Sequence, residues 1–218
     1  LTTYLHPSKG TAKVGGMDVL ENPLGVRKII GYLPEILPLY MDMEVKGYLN
    51  FVGKARGLSG ARLRERTDVV LDACGLRHMY RKVVRELSKG YKQRTALAQA
   101  LIHDPEVVFA DEPCNSLDPY NAGKFRSLLK AWHAAGEAAG KERTLILVTH
   151  NAQEAWDVAS QFVLIENYGL GSLQVEPRSA FDNAQQIEDR IVHSARQLLS
   201  VKRVSSSAAV CTRSESTS

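Results

Sequence analysis

The sequence predicts an α/β fold: a mostly parallel sheet flanked by helices, with a helical subdomain set into it. Three observations carry this. Two runs, Val107–Ala110 and Leu145–Val148, are apolar without polar alternation. Strands of that kind are buried on both faces, as in parallel sheets covered by helices. Between them lies a long helical pattern over 121–135, of a length that suits a crossover between parallel strands. Ahead of them, residues 43–85 lose strand character. Val45, Leu49 and Val52 recur at helical spacing, as do Leu63, Val69, Val70 and Leu71, with Gly57 and Gly60 marking a turn.

The remaining elements follow in order. Residues 11–19 carry a short strand pattern with a Gly-Gly turn, and 29–33 another strand closed by Pro34. A helix over 88–103 has Leu97, Ala98, Leu101 and Ile102 as its apolar face and is stopped by Asp104-Pro105. Closing strands are expected at 161–166 and 173–175. A C-terminal helix over 183–202 would have Ile187, Ile191, Ala195 and Leu198 on one stripe. The tail from Ser205 is rich in Ser and Thr and is expected to be disordered. These readings divide the chain into 1–175 (with a helical subdomain at 43–103), a helical extension at 176–204, and a tail at 205–218.

Composition narrows the function. The 218 residues are 44% hydrophobic and 24% charged, with a formal charge of +4. Lys and Arg are scattered, so no nucleic-acid partner is expected. Cys74, Cys114 and Cys211 have no metal-binding spacing, and their odd number argues for a reducing, cytoplasmic setting over a disulfide framework. The apolar runs fall far short of the ~20 residues that span a bilayer. Leu1–Leu5 looks like the end of a helix, and the chain opens on Leu rather than Met. The expectation is of an N-terminally truncated sequence.

The chemistry concentrates between Leu87 and His150. Asp111 and Glu112 follow the first apolar strand, at the carboxyl end where ligands bind in open α/β sheets. Leu87-Ser88-Lys89-Gly90-Tyr91 opens the helix before it, and a helix N-terminus exposes N–H groups to a phosphate. His150 ends the second apolar strand. Ser116-Leu117-Asp118 lies between, and Glu35 follows Pro34.

This order resembles the ATP-binding cassette (ABC) family: signature motif, Walker B strand, D-loop and a histidine at the next strand end. The resemblance covers about 1–175. Gly-Tyr-Leu-Pro-Glu with Leu-Ser-Lys-Gly-Tyr-Lys-Gln-Arg is most similar to the ABC-2-type exporter branch. It implies a P-loop NTPase-like cassette that binds ATP and Mg²⁺. Asp111 would hold Mg²⁺ and Glu112 would act as general base. His150 would contact the γ-phosphate. Ser88, Lys89, Gly90 and Tyr91 would bind ATP held by a second nucleotide-binding domain, with Ser116 and Asp118 crossing that dimer interface. Glu35 stands where the family has a glutamine that meets Mg²⁺ and the attacking water. Lys89 and Tyr91 depart from the family's Gly and Gln.

The family's phosphate-cradling G-x-x-x-x-G-K-[ST] loop does not occur in these 218 residues. The first strand of the cassette and the P-loop are therefore expected to be missing, and the chain alone to be inactive. The resemblance further implies a transmembrane permease as partner, docked near Leu37–Tyr40, and a place on the cytoplasmic face of the membrane. The competing readings are a non-hydrolysing interaction module and a soluble non-transport ABC ATPase. The short segment between the two halves, without sustained heptads, counts against the second.

Overall fold

The computed structural model describes residues 1–7, 9–115, 117–166, 173–194 and 196–202. Ser116 and the expected disordered tail at 205–218 lie outside the described residues.

A small hairpin comes first, β1 (Lys13–Val14) and β2 (Met17–Asp18). Gly15 and Gly16 join them at φ +56° and +77°, the left-handed geometry that a tight hairpin turn demands. Helix α1 (Pro23–Ile29) follows, capped by Asn22, whose side chain accepts from Gly25 N, with Pro at its start. Leu1–Leu5 is not the end of a helix. Thr3 sits at φ +62° and is held by Arg27, whose Nε donates to Thr3 Oγ1 at 2.6 Å. A left-handed residue cannot continue a right-handed helix.

Strand β3 (Ile30–Leu33) leads to the helical subdomain: α2 (Val45–Ala55), α3 (Gly60–Ala73), two 3₁₀ turns, and α4 (Lys89–Leu101). Leu97, Ala98, Leu101 and Ile102 are buried, as the helical spacing predicts, whereas Val69 turns outward. Gly31 lets α4 approach β3. A Cβ there would lie 2.3 Å from Ala100 O, a backbone atom with no room to yield. Strand β4 (Val107–Asp111) passes through α5 (Pro119–Ala138) into β5 (Thr144–Thr149). Then come α6 (Ala152–Val158), β6 (Gln161–Glu166), β7 (Leu173–Pro177), α7 (Ala184–Ser194) and β8 (Arg196–Lys202).

The main sheet has the order β3-β4-β5-β8-β6-β7. β3, β4 and β5 pair in parallel; β8 is antiparallel to β5 and to β6, and β7 is antiparallel to β6. Four of the six strands (β3, β4, β5 and β6) therefore run the same way. This is the mostly parallel sheet that the sequence predicts. Successive residues of the central strands serve opposite faces. Val108, Ala110, Leu145 and Leu147 join the core under the helical subdomain, while Phe109 and Ile146 join the core under the hairpin and α1. Both faces are covered, which is why these runs contain no polar alternation.

The C-terminal expectation is corrected. The helix over 183–202 is helical only over Ala184–Ser194, and Arg196–Lys202 is a strand inserted between β5 and β6. The extension expected at 176–204 is thus not a separate helical piece, because it supplies the end of β7 and all of β8 to the main sheet. Without β8, the facing edges of β5 and β6 would leave their N–H and C=O groups without a ladder, a cost that strand insertion removes.

Candidate functional site

The site is built where β4 and β5 end side by side. They are in parallel register, with Asp111 opposite Val148. The ladder continues one residue further, Glu112 N donating to Val148 O at 2.8 Å. That contact brings the chain after β4 against the chain after β5, so the acidic pair and His150 meet although 38 residues separate Glu112 from His150 in sequence.

Glu112 has φ +43°. For a residue with a Cβ this costs about 1–2 kcal/mol and persists only when its surroundings over-determine it. They do. Asn115 N donates to Glu112 O at 3.0 Å. His150 N donates to Glu112 Oε1 at 2.9 Å, and His150 Nδ1 lies 2.9 Å from the same oxygen. The Thr149 hydroxyl lies 3.4 Å from Glu112 Oε2. The Glu112 side chain is 10% exposed, and the His150 side chain is 70% exposed. The carboxylate is thus fixed on a buried footing, with the imidazole on its solvent side.

Behind it lies a residue that the motifs did not single out. Glu154, in α6, is 2% exposed. The Thr149 hydroxyl bonds its Oε2 at 2.7 Å. Burial pushes the Glu154 carboxyl above its ordinary pKa; hydrogen bonds with Cys114 and Thr149 oppose this, and the charge of Glu112 adds to it. Burial likewise raises the Cys114 thiol, with Glu154 as the next cause. A cleft of about 350 Å³ opens beside these groups, lined by Glu112, Cys114, Arg126, His150 and Glu154 among others. One sequence signal could have found Glu154. Asn151-x-x-Glu154 is the spacing of a helix cap, and Asn151 Oδ1 does accept from Glu154 N at 3.0 Å.

The other expected residues are distributed as follows. Asp111 closes β4 and is partly buried. Exposed Glu35 accepts from Asn115 Nδ2 at 3.0 Å, which ties the turn after β3 to the loop after Glu112. Ser88 occupies the N-cap position of α4 but makes no capping hydrogen bond, a correction to the cap its residue type suggests. Ser88 and Lys89 are exposed and Gly90 half-buried. Tyr91 turns to the helical subdomain: His78 Nε2 lies 2.9 Å from its hydroxyl, and the Arg94 guanidinium lies over its ring. Among the described residues no hydrogen bond joins the Ser88–Tyr91 group to Glu112 or His150. Asp118 caps α5, accepting from Asn121 N at 3.0 Å and from Asn121 Nδ2 at 2.6 Å. Bonding to the Asn121 side chain is the main reason its carboxyl sits below the ordinary value. Asn121 also borders the signature turn, since a Cβ on Gly90 would lie 3.4 Å from its side chain. Neither Asn121 nor Asn115 is distinguishable as a site residue in the sequence.

Among the described residues no three His, Cys, Asp or Glu side chains form a metal centre.

A family model described as "ABC transporter" matches residues 1–115. The chain belongs to the ABC transporter family. An uncharacterized ABC transporter ATP-binding protein of Bacillus subtilis, YxlF, is 34% identical over 77% of this chain and 52% of its own length. The daunorubicin resistance ATP-binding protein DrrA3 of Streptomyces coeruleorubidus is 32% identical over 76% of this chain and 51% of its own. This ABC-family chain thus spans about half the length of these curated relatives. Among solved structures, cbiO1 of Clostridium perfringens, described as part of the ABC transporter complex cbiONQ, aligns with a TM-score of 0.69 at 22% identity. The alignment covers 88% of this chain and 75% of that one, and it shows the shared fold.

Proposed function

We propose that this chain is the ATP-binding and ATP-hydrolysing part of an ABC transporter, coupling hydrolysis to export through a separate permease. The observation that supports it most is the strained Glu112 at the end of β4, anchored to the His150 N–H at the end of β5. A carboxylate held in place beside an imidazole, at the carboxyl ends of parallel strands, is equipped to take a proton from an attacking water.

In this reading Glu112 is the general base. His150, on its solvent side, contacts the γ-phosphate and fixes the direction from which water approaches. Asp111, with Glu35 at the edge of the site, is the side chain that would hold Mg²⁺. When bound, Mg²⁺ neutralises charge on the phosphate oxygens. The exposed start of α4, with Ser88, Lys89 and Gly90, serves the ATP of a second nucleotide-binding domain, through its N–H groups and the Ser88 hydroxyl. In this reading the site is completed by two copies or by a related partner. Tyr91 contributes less directly, by fixing that turn to His78. In the same reading Asp118 serves the dimer interface; Ser116, expected there too, lies outside the described residues.

For the permease, the exposed apolar side chains after β3 supply a contact surface. Leu39 is buried, so Ile36, Tyr40, Met41 and Phe51 form that surface rather than the whole Leu37–Tyr40 run. Tyr40 and Phe51 pack on one another at 5.4 Å. Among the described residues no helix is long and apolar enough to cross a membrane. The site on the cytoplasmic face of the membrane is therefore reached through the permease.

The test is Mg²⁺-dependent ATP turnover by two proteins: the 218-residue chain, and the same chain extended upstream through its own reading frame. The expected outcome is turnover by the second alone, abolished by Glu112→Gln. No turnover by the second with its permease present would overturn the reading in favour of a non-hydrolysing module.

A further inference from the structure

The Glu112 carboxylate is held by groups from the end of β5, and the end of β5 is itself held by something. Thr149 is fully buried, and its side chain is the point through which α6 meets the end of β5. Its hydroxyl oxygen lies 2.7 Å from Glu154 Oε2, 3.4 Å from Glu112 Oε2, and 3.1 Å from Asn151 N, which donates to it. Asn151 in turn accepts from Glu154 N at 3.0 Å. Glu154 is therefore tied twice to the segment 149–151, by side chain and by backbone, and that segment carries the His150 N–H that grips Glu112.

Resting on the proposed hydrolytic role of Glu112, we propose that Glu154 is a positioning residue for that base, acting through the Thr149 hydroxyl.

Proton counting supports the direction of the effect. A hydroxyl has one proton and cannot donate to two carboxylates at once. Burial favours the neutral form of Glu154. A neutral carboxyl can donate to Thr149 Oγ1, leaving the hydroxyl proton for Glu112 Oε2. An ionised Glu154 would instead take that proton through the shorter contact and place a second negative charge near the base, offset only in part by the charge of Arg126. Gln at this position also offers a donor and an acceptor, whereas Ala offers neither. Nothing in Glu154 touches the reacting atoms, so its effect falls on orientation, where small displacements of a base are costly.

The test has two arms. In the 218-residue chain, without nucleotide, the His150 backbone amide proton resonance reports its hydrogen bond to Glu112. Glu154→Ala and Thr149→Val are expected to move it upfield, and Glu154→Gln to leave it near the wild-type position. The double variant should move it no further than either single one. In a form that turns over ATP, Glu154→Ala is expected to lower kcat about tenfold with KM for ATP unchanged, and Glu154→Gln to restore it. If Glu154→Ala fails to fold, Thr149→Val, close to isosteric, carries both arms. A His150 resonance unmoved by Glu154→Ala or by Thr149→Val overturns the proposal whatever the turnover; so does a Gln variant that behaves like Ala. If the resonance moves as expected but no form hydrolyses ATP, the linkage stands and the hydrolytic reading falls.

Discussion

The two ends of β4 present the same problem with opposite solutions. Each carries an acidic residue in the left-handed region, Asp104 at φ +59° before the strand and Glu112 at φ +43° after it. Asp104 is surrounded by cations. Arg143 lies 2.8 Å and Arg66 3.7 Å from its Oδ1, and Lys141 bonds its Oδ2. Burial works against its charge, but the Lys141 hydrogen bond and the Arg66, Lys141 and Arg143 charges hold its pKa below the ordinary value. Glu112 has the His150 imidazole beside it and a second, buried acid behind Thr149. An acid saturated with cations is a structural clamp. An acid fixed by N–H and hydroxyl groups beside an open cleft is placed to meet a group that arrives from outside.

The sharpest way to break this comparison is to swap the readouts. Glu112→Gln should cut ATP turnover, in a form that turns over, by on the order of 10²–10⁴-fold while the melting midpoint stays within the range of a surface substitution. A large loss of stability instead would make Glu112 another clamp. Asp104→Ala should do the reverse, lowering unfolding free energy by about 3 kcal/mol in a denaturant titration, since it strands the partly buried Arg66 and Arg143 side by side. A cost under about 0.5 kcal/mol would show that the cation cluster contributes nothing beyond surface pairs.

A pH titration sharpens the clamp end. His103, next to Asp104, donates through Nε2 to Ile30 O at 2.9 Å. Burial first, and then the Arg56 charge, lower its pKa to about 4. A lowered histidine pKa means that the unfolded chain binds the proton first as pH falls. Stability should therefore be complete above about 6.5 and decline toward about 4, by roughly 2–3 kcal/mol over that window. His103→Gln should flatten the decline, as read from melting midpoints across the window. The smallest effect separates two caps. Asn22→Ala and Asn151→Ala each remove a side chain that accepts from a first-turn N–H and should each cost about 1 kcal/mol. Asn151→Ala alone should also reduce turnover, because it loosens Glu154.

Legibility followed the strength of the periodic signal. β4, β5, α4 and α5 were readable because two-face burial and one-face burial impose different apolar patterns over long stretches. The seven-residue helices α1 and α6 were missed, although Asn22-Pro23 and Asn151-x-x-Glu154 are recognisable starts. At the C-terminus, Ile187, Ile191 and Leu198 fit a helical stripe, but nothing local shows that a slot between β5 and β6 will be filled by Arg196–Lys202. Asp111, Glu112 and His150 were visible because a strand end is a place in sequence as well as in space. Glu154 was not, because an acid in a helix is normally solvated.

The sequence by itself determined the layered α/β plan, the central parallel strands and the acidic pair and histidine at their ends, since strand burial dictates residue types position by position. Only the tertiary structure decided which acid lies among cations and which lies beside His150, where β8 goes, and that Glu154 stands behind Thr149. Those depend on distances between residues far apart in the chain, and on burial, which no local pattern encodes.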